Sequence, residues 1–187
     1  KLVRKIVGMG IATLTDVAVG IFVVQIIGKA FNYEVPIYFY PIGAFLALLP
    51  DLDYTYKLWQ KWRGEIKIIT THKLFPHYPI IMIIPVCSVL GGLSVFWPIL
   101  GYWAVVTLLC LLSHYVHDTI EVQAGLKWLF PFNKRYYRLC SFSENELKDE
   151  PLMNDMEWFE RYYLRLTPQS VLGVILFVTA VLLARFW

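Results

Sequence analysis

Cysteine pairs, basic stripes and long charged stretches are what this chain has little of. Its three cysteines, Cys87, Cys110 and Cys140, lie far apart, the first two within apolar runs. That spacing offers neither a CxxC metal knuckle nor a disulfide framework, and leaves packed or free thiols as the reading. The formal net charge is only +3, and the basic residues are scattered through short segments. A nucleic-acid-binding surface therefore has no support. Charged residues make up 17% of the sequence and hydrophobic ones 58%, with a positive mean hydropathy. Soluble domains carry about 25% charge, so this balance places the chain in a membrane.

What is present is a series of apolar runs. Residues 6–27, 35–50, 79–96, 98–118 and 169–187 predict about five transmembrane helices in an all-α integral membrane protein of one domain, 1–187. The first run follows a basic patch but is too long for a signal peptide and has no small-residue cleavage site behind it. The second is short, aromatic at Tyr38, Phe39 and Tyr40 and closed by Pro50-Asp51-Leu52-Asp53. The stretch from Ile80 onward reads as a helical hairpin, broken near Gly91-Gly92 and again at Trp97-Pro98. In the polar segment 54–77, Lys57, Lys61, Arg63 and Lys67 interleave with Trp59 and Trp62, a composition suited to a headgroup layer. Within the second polar segment, 119–168, the residues Trp158, Phe159, Tyr162, Leu164 and Leu166 alternate with charges and predict an amphipathic helix in the interface plane. Because these two segments and the N-terminal patch hold most of the Lys and Arg, the positive-inside tendency places them in the cytoplasm.

Ionisable groups interrupt this pattern at few places. Asp16 lies inside the first run, where a carboxylate must face protein or water. Asp51 and Asp53 end the second, either as a clamp for a divalent cation or as a proline-aspartate helix terminator with solvated charges. His72 and His77 precede the third, separated by Pro76. His114 and Asp118 end the fourth at i and i+4, which puts both on one helical face. The topology drawn from Lys and Arg brings the last three clusters to the cytoplasmic side, and all four histidines of the chain, His117 included, lie in them.

The order of these motifs resembles a family. Leu49-Pro50-Asp51-Leu52-Asp53, then His72-Lys73-Leu74-Phe75-Pro76-His77, then Ser113-His114-Tyr115-Val116-His117-Asp118, followed by Ala124-Gly125 and Trp128-Leu129-Phe130-Pro131, is similar to the membrane-bound metal-dependent hydrolases of bacteria and archaea, which include LexA-regulated inner-membrane proteins. The resemblance covers roughly Asp16 to Arg138. It implies that the family's PD-x-D pair falls on Asp51 and Asp53, its HR-x-x-x-H element on His72 and His77, and its H-x-x-x-D element on His114 and Asp118. Three positions depart from the pattern: Asp16 stands where the family has a histidine, Lys73 where it has an arginine, and Tyr78 where it has a serine. His117 has no counterpart, and at i+3 from His114 it is open to a supporting or headgroup-facing role.

Four carboxylates (Asp16, Asp51, Asp53, Asp118) and three imidazoles (His72, His77, His114) exceed the four ligands of one zinc. Two divalent ions sharing a carboxylate are expected, with zinc, manganese or iron suited to mixed nitrogen and oxygen donors. Such a set polarises a phosphoryl or acyl oxygen and activates water, so Asp51, Asp53 and His114 are the expected catalytic residues. A site at headgroup depth points to a phospholipid or another lipid-linked phosphoester as substrate, its phosphate held by Lys73, Lys134 and Arg135. A metal-ion transporter and a non-catalytic membrane scaffold are the alternatives.

Overall fold

The computed structural model describes residues 2–65, 75–120, 125–137, 139 and 168–186. These residues form α1 (Leu2–Ala30), α2 (Phe39–Leu48), α3 (Leu52–Trp62), α4 (Pro79–Leu93), α5 (Ile99–Ile120) and α6 (Pro168–Phe186), with 3-10 turns at Leu49–Asp51 and Phe75–His77. No β-strand occurs among them, only a bridge between Leu126 and Tyr137. The stretch Thr13–Ala30 within α1, and α5 as a whole, are long and apolar enough to cross a membrane; α4 and most of α6 are shorter apolar helices.

α1 ends where its backbone can be satisfied locally. Asn32 adopts a left-handed conformation (φ 49°), its amide donates to the Lys29 carbonyl (3.0 Å), and the Tyr33 amide donates to the Gly28 carbonyl (2.8 Å). Asparagine tolerates that conformation better than most residues, so paired bonds close the helix as the sequence turns polar.

The second apolar run differs from its expected form. Pro36 biases Val35 away from helical backbone, and α2 begins only at Phe39. Its 10 residues span about 15 Å, half of a hydrocarbon core about 30 Å thick. α2 leans on α1 where both lack side chains: a Cβ on Gly20 would fall on the Gly43 carbonyl, and one on Gly43 would stand 2.6 Å from the Gly20 carbonyl oxygen. Beyond Leu48 the chain turns once, through Leu49–Asp51, and continues directly into α3. The headgroup-level segment expected after Asp53 is thus helical as far as Trp62, with Trp59 and Trp62 exposed on it. The amphipathic helix expected within 153–166 lies outside the described residues.

Gly91-Gly92 does not break the hairpin. α4 runs through both glycines to Leu93, and the connection follows, closed by the Ser94 hydroxyl donating to the Gly91 carbonyl (2.5 Å). In an apolar setting the backbone amides have no water to turn to, which keeps the glycines helical. Pro98 then precedes the first turn of α5.

Three apolar clusters hold the helices together. Val24, Ile27, Phe39, Ala47, Tyr102, Val106 and Cys110 join α1, α2 and α5; Ala18, Ile21 and Ala180 seat α6 on α1. Leu111 and Tyr115 of α5 pack on Leu126 of the following loop. Tyr102 donates its hydroxyl to the Val24 carbonyl (2.9 Å) near one end of the α1–α5 pair. Cys87 and Cys110 are free thiols, and Cys140 lies outside the described residues.

Candidate metal centre

The opposite end of the α1–α5 pair is where the ionisable groups meet. Asp16 comes from α1, Asp51 from the turn after α2, Asp53 from the first turn of α3, and His77 from the turn before α4. His114, His117 and Asp118 come from the last turns of α5. The turn carrying His77 is pinned from α5: the Tyr115 hydroxyl donates to the Pro76 carbonyl (2.7 Å). One helical turn on, Thr119 donates to the Tyr115 carbonyl (2.6 Å) and accepts from the Trp128 indole (2.9 Å).

His77 is fully buried and touches three carboxylates. Its Nδ1 is 3.0 Å from Asp53 Oδ2, and its Nε2 is 3.5 Å from Asp51 Oδ1 and 3.4 Å from Asp118 Oδ2. His114, 2% exposed, places Nε2 3.7 Å from Asp51 Oδ1 and Nδ1 3.5 Å from Asp16 Oδ1. The two imidazoles are 5.7 Å apart at their centroids and tilted by 59°. Asp51, His77 and His114 each offer one donor atom such that all three lie within 4.8 Å of one another.

These separations fit a cation. Bonds of about 2.0–2.2 Å to tetrahedral donors set donor–donor edges of about 3.3–3.6 Å, close to the 3.5 and 3.7 Å between Asp51 and the two histidines. His114 gives the second indication: both its nitrogens are buried, and neither makes a hydrogen bond among the described residues. A buried polar group left in that state costs on the order of 1–3 kcal/mol. A cation that takes up one ring lone pair relieves it.

Of the seven expected ligands, six are brought together: Asp16, Asp51, Asp53, His77, His114 and Asp118. His72 lies outside the described residues, as does Lys73. Asp53 is 4% exposed, so the picture of solvated terminator charges does not hold for it. Lys134 and Arg135 are exposed on the loop after Leu126, with Arg135 over the Tyr137 ring at 6.0 Å, and among the described residues no ion pair links them to the centre. Lys127 lies over the ring of Tyr78, the residue after His77, its Nζ 5.9 Å from that centroid and 4.7 Å from the centroid of Tyr136. His117, given no definite role from the sequence, has Nδ1 3.5 Å from Asp16 Oδ1. Its i+3 spacing from His114 was the available signal; the partner on another helix was not.

A family model described as YdjM inner membrane protein matches residues 11–187. The chain belongs to the YdjM inner membrane protein family. Comparison with curated proteins and with solved structures gives no match. Family membership supports a membrane setting for the apolar helices, and the matched residues include every member of the centre from Asp16 to Asp118.

In this YdjM-family chain the electrostatics of His77, which lies outside the apolar helices, can be stated. Burial pushes its imidazolium down, but hydrogen bonding with Asp51 and Asp53 and the charges of Asp118 and Asp53 outweigh that and hold the pKa above the ordinary histidine value. A raised folded pKa contributes stability that is complete below the unfolded value of about 6.5 and is lost as pH rises through the folded value. A bound cation reverses the trend, because it needs the unprotonated nitrogen. Metal-free protein is therefore expected to lose the His77 contribution as pH rises, while stabilisation by added Zn²⁺ grows. Thermal unfolding in detergent between about pH 6 and pH 9, with and without Zn²⁺, measures both; a zinc effect that does not vary with pH would contradict the assignment.

Proposed function

We propose that this protein is a membrane-embedded metal-dependent hydrolase acting at the cytoplasmic headgroup level on a phospholipid or another lipid-linked phosphoester. The observation that carries the reading is the convergence of Asp51, His77 and His114 at one end of a bundle of apolar helices. In this reading α1, α4, α5 and α6 cross the bilayer, α2 is a fifth apolar segment reaching part-way, and α3 lies in the interface. Arg63 stacked over Trp59 at 4.6 Å supports the interfacial placement of α3. The Lys and Arg of the polar segments favour the cytoplasmic side for the centre.

Asp51, His77 and His114 would hold a divalent cation, zinc, manganese or iron, which would supply polarisation of a phosphoryl oxygen and a water of lowered pKa. The chain's own groups hold the histidines in register, exclude bulk water from His77 and His114, and place Asp118 beside the same point. Transport is disfavoured by the distribution of charge. A path across the bilayer needs ionisable groups along its length, whereas the buried ionisable groups among the described residues, Asp16, Asp53, His77, His114 and Asp118, all gather at one end.

The test is a lipid panel. Purified protein in phospholipid nanodiscs, supplied with Zn²⁺ or Mn²⁺, is expected to release phosphate or a phosphorylated headgroup from at least one lipid class, and Asp51→Ala to abolish the release. Metal-dependent flux through liposomes without any release would move the assignment to a transporter. Neither release nor flux would leave a scaffold.

A further inference from the structure

We infer that the centre takes a single divalent cation, ligated by Asp51 and by Nε2 of His77 and His114, with Asp53 and Asp16 acting as positioning carboxylates behind the two histidines. The inference rests on the metal-centre reading above and replaces the two-ion, seven-ligand expectation. A neutral imidazole has one lone pair, so a histidine that ligates through Nε2 carries its proton on Nδ1, and in a buried site that N–H needs an acceptor. His77 meets the condition with a hydrogen bond, and His114 turns the same ring nitrogen toward a carboxylate at ion-pair distance. The Nε2 atoms face Asp51 Oδ1 at 3.5 and 3.7 Å, whereas Nδ1 of His77 faces Asp53 at 3.0 Å and Nδ1 of His114 faces Asp16 at 3.5 Å.

The distances separate the two kinds of contact. The Asp53 separation is that of a hydrogen bond, which the 3-10 turn and the first turn of α3 hold in place. The Asp16 separation is slightly longer, and Asp16 is shared with His117 at the same 3.5 Å. A carboxylate on the Nδ1 side of a ring cannot also reach a cation bound at Nε2 of that ring, because the two lone-pair directions diverge. A second cation would need a second converging set. Among the described residues one group of three converges, Asp51, His77 and His114; Asp16 with Nδ1 of His114 and His117 does not. Using it would also strip His114 of both ring protons. Three protein donors leave coordination positions open, as catalytic sites require; Asp118 Oδ2 is 3.4 Å from His77 Nε2 but is not part of the group whose donor atoms all lie within 4.8 Å of one another.

Metal counting on the intact protein tests this without any activity assay. Chelated protein in detergent, reloaded with Zn²⁺ or Co²⁺, is expected to bind one ion per chain. Asp53→Asn and Asp16→Asn keep an acceptor for the Nδ1 proton and are expected to retain one Co²⁺ with the wild-type visible spectrum. Asp53→Ala and Asp16→Ala, which remove the acceptor, are expected to weaken affinity by about 10–100-fold. Two ions per wild-type chain would overturn the inference even if no variant folded. A Co²⁺ spectrum changed by Asp16→Asn or Asp53→Asn, as loss of a ligand would change it, would overturn it as well. No ion on wild-type protein would instead overturn the metal-centre reading on which it rests.

Discussion

Replacement of His114 by alanine is expected to remove metal binding and, with it, hydrolysis. His114 supplies one of the three donors that converge among the described residues, and it stands between two carboxylates, with Asp16 at 3.5 Å on one side and Asp51 at 3.7 Å on the other. Without the ring, two donors remain, and the facing carboxylates lose the group that separates and offsets them. The expected loss of turnover is at least about 10³-fold, equivalent to about 4 kcal/mol in the barrier. Near half-saturation, bound Zn²⁺ should fall to about one-fifth of the wild-type content or lower, the loss that a tenfold, about 1.4 kcal/mol, drop in affinity produces. His117→Ala is the matched control: it touches Asp16 from the more exposed side and should keep its metal. Elemental analysis and headgroup release on the same preparations measure both quantities, and a folded His114→Ala protein with a full complement of zinc would contradict the assignment.

Gly43→Val is expected to cost the fold itself. The added side chain would meet Val24 and the Gly20 carbonyl oxygen, and Gly20 in turn is pressed against the Gly43 carbonyl. Overpacking usually costs about 1–3 kcal/mol where side chains can rotate away, but here one of the colliding groups is backbone and α1 must move. A shift of that kind carries the end of α2 with it, and therefore Asp51, away from His77 and His114. The variant should be poorly monodisperse, melt well below wild type, and bind Zn²⁺ weakly in whatever folded fraction survives. Gly91→Ala is the contrasting substitution: nothing lies within 4 Å of its Cβ position, and alanine is favoured over glycine in helical backbone, here the last turn of α4. Size-exclusion profiles and melting curves of the two variants decide whether the α1–α2 crossing positions the centre; a Gly43→Val protein with wild-type melting and zinc affinity would show that it does not.

The legibility of the centre varied residue by residue. His114 and Asp118 share a helical face by spacing alone, and the structure keeps both buried on α5. They nonetheless serve different partners, since His114 turns to Asp16 and Asp51 while Asp118 approaches His77. Asp51 and Asp53, one residue apart, suit by spacing either a clamp for one cation or a helix terminator. The helical turn between them instead sends Asp51 toward the shared point and Asp53 to the far nitrogen of His77. His117 had a spacing but no visible partner, because Asp16 lies on another helix about a hundred positions earlier in the chain. The contact of Lys127 with the Tyr78 ring has no sequence signal, because a loop residue acquires its neighbours only from the fold.

The sequence by itself determined the membrane class, the apolar helices α1, α5 and α6 to within a few residues, and six ionisable residues that the structure brings together, Asp16, Asp51, Asp53, His77, His114 and Asp118. These follow from composition, run length and the scarcity of charge in apolar segments, all of which are local. Only the tertiary structure decided that α2 is half a span, that Gly91-Gly92 stays helical, and which nitrogen of each histidine faces which carboxylate. Those outcomes depend on how closely two backbones can approach, as at Gly20 and Gly43, and on bonds between distant elements, as from Tyr115 to Pro76. A spacing fixes the side of its own helix to which a residue points; where that side meets another helix is set by packing.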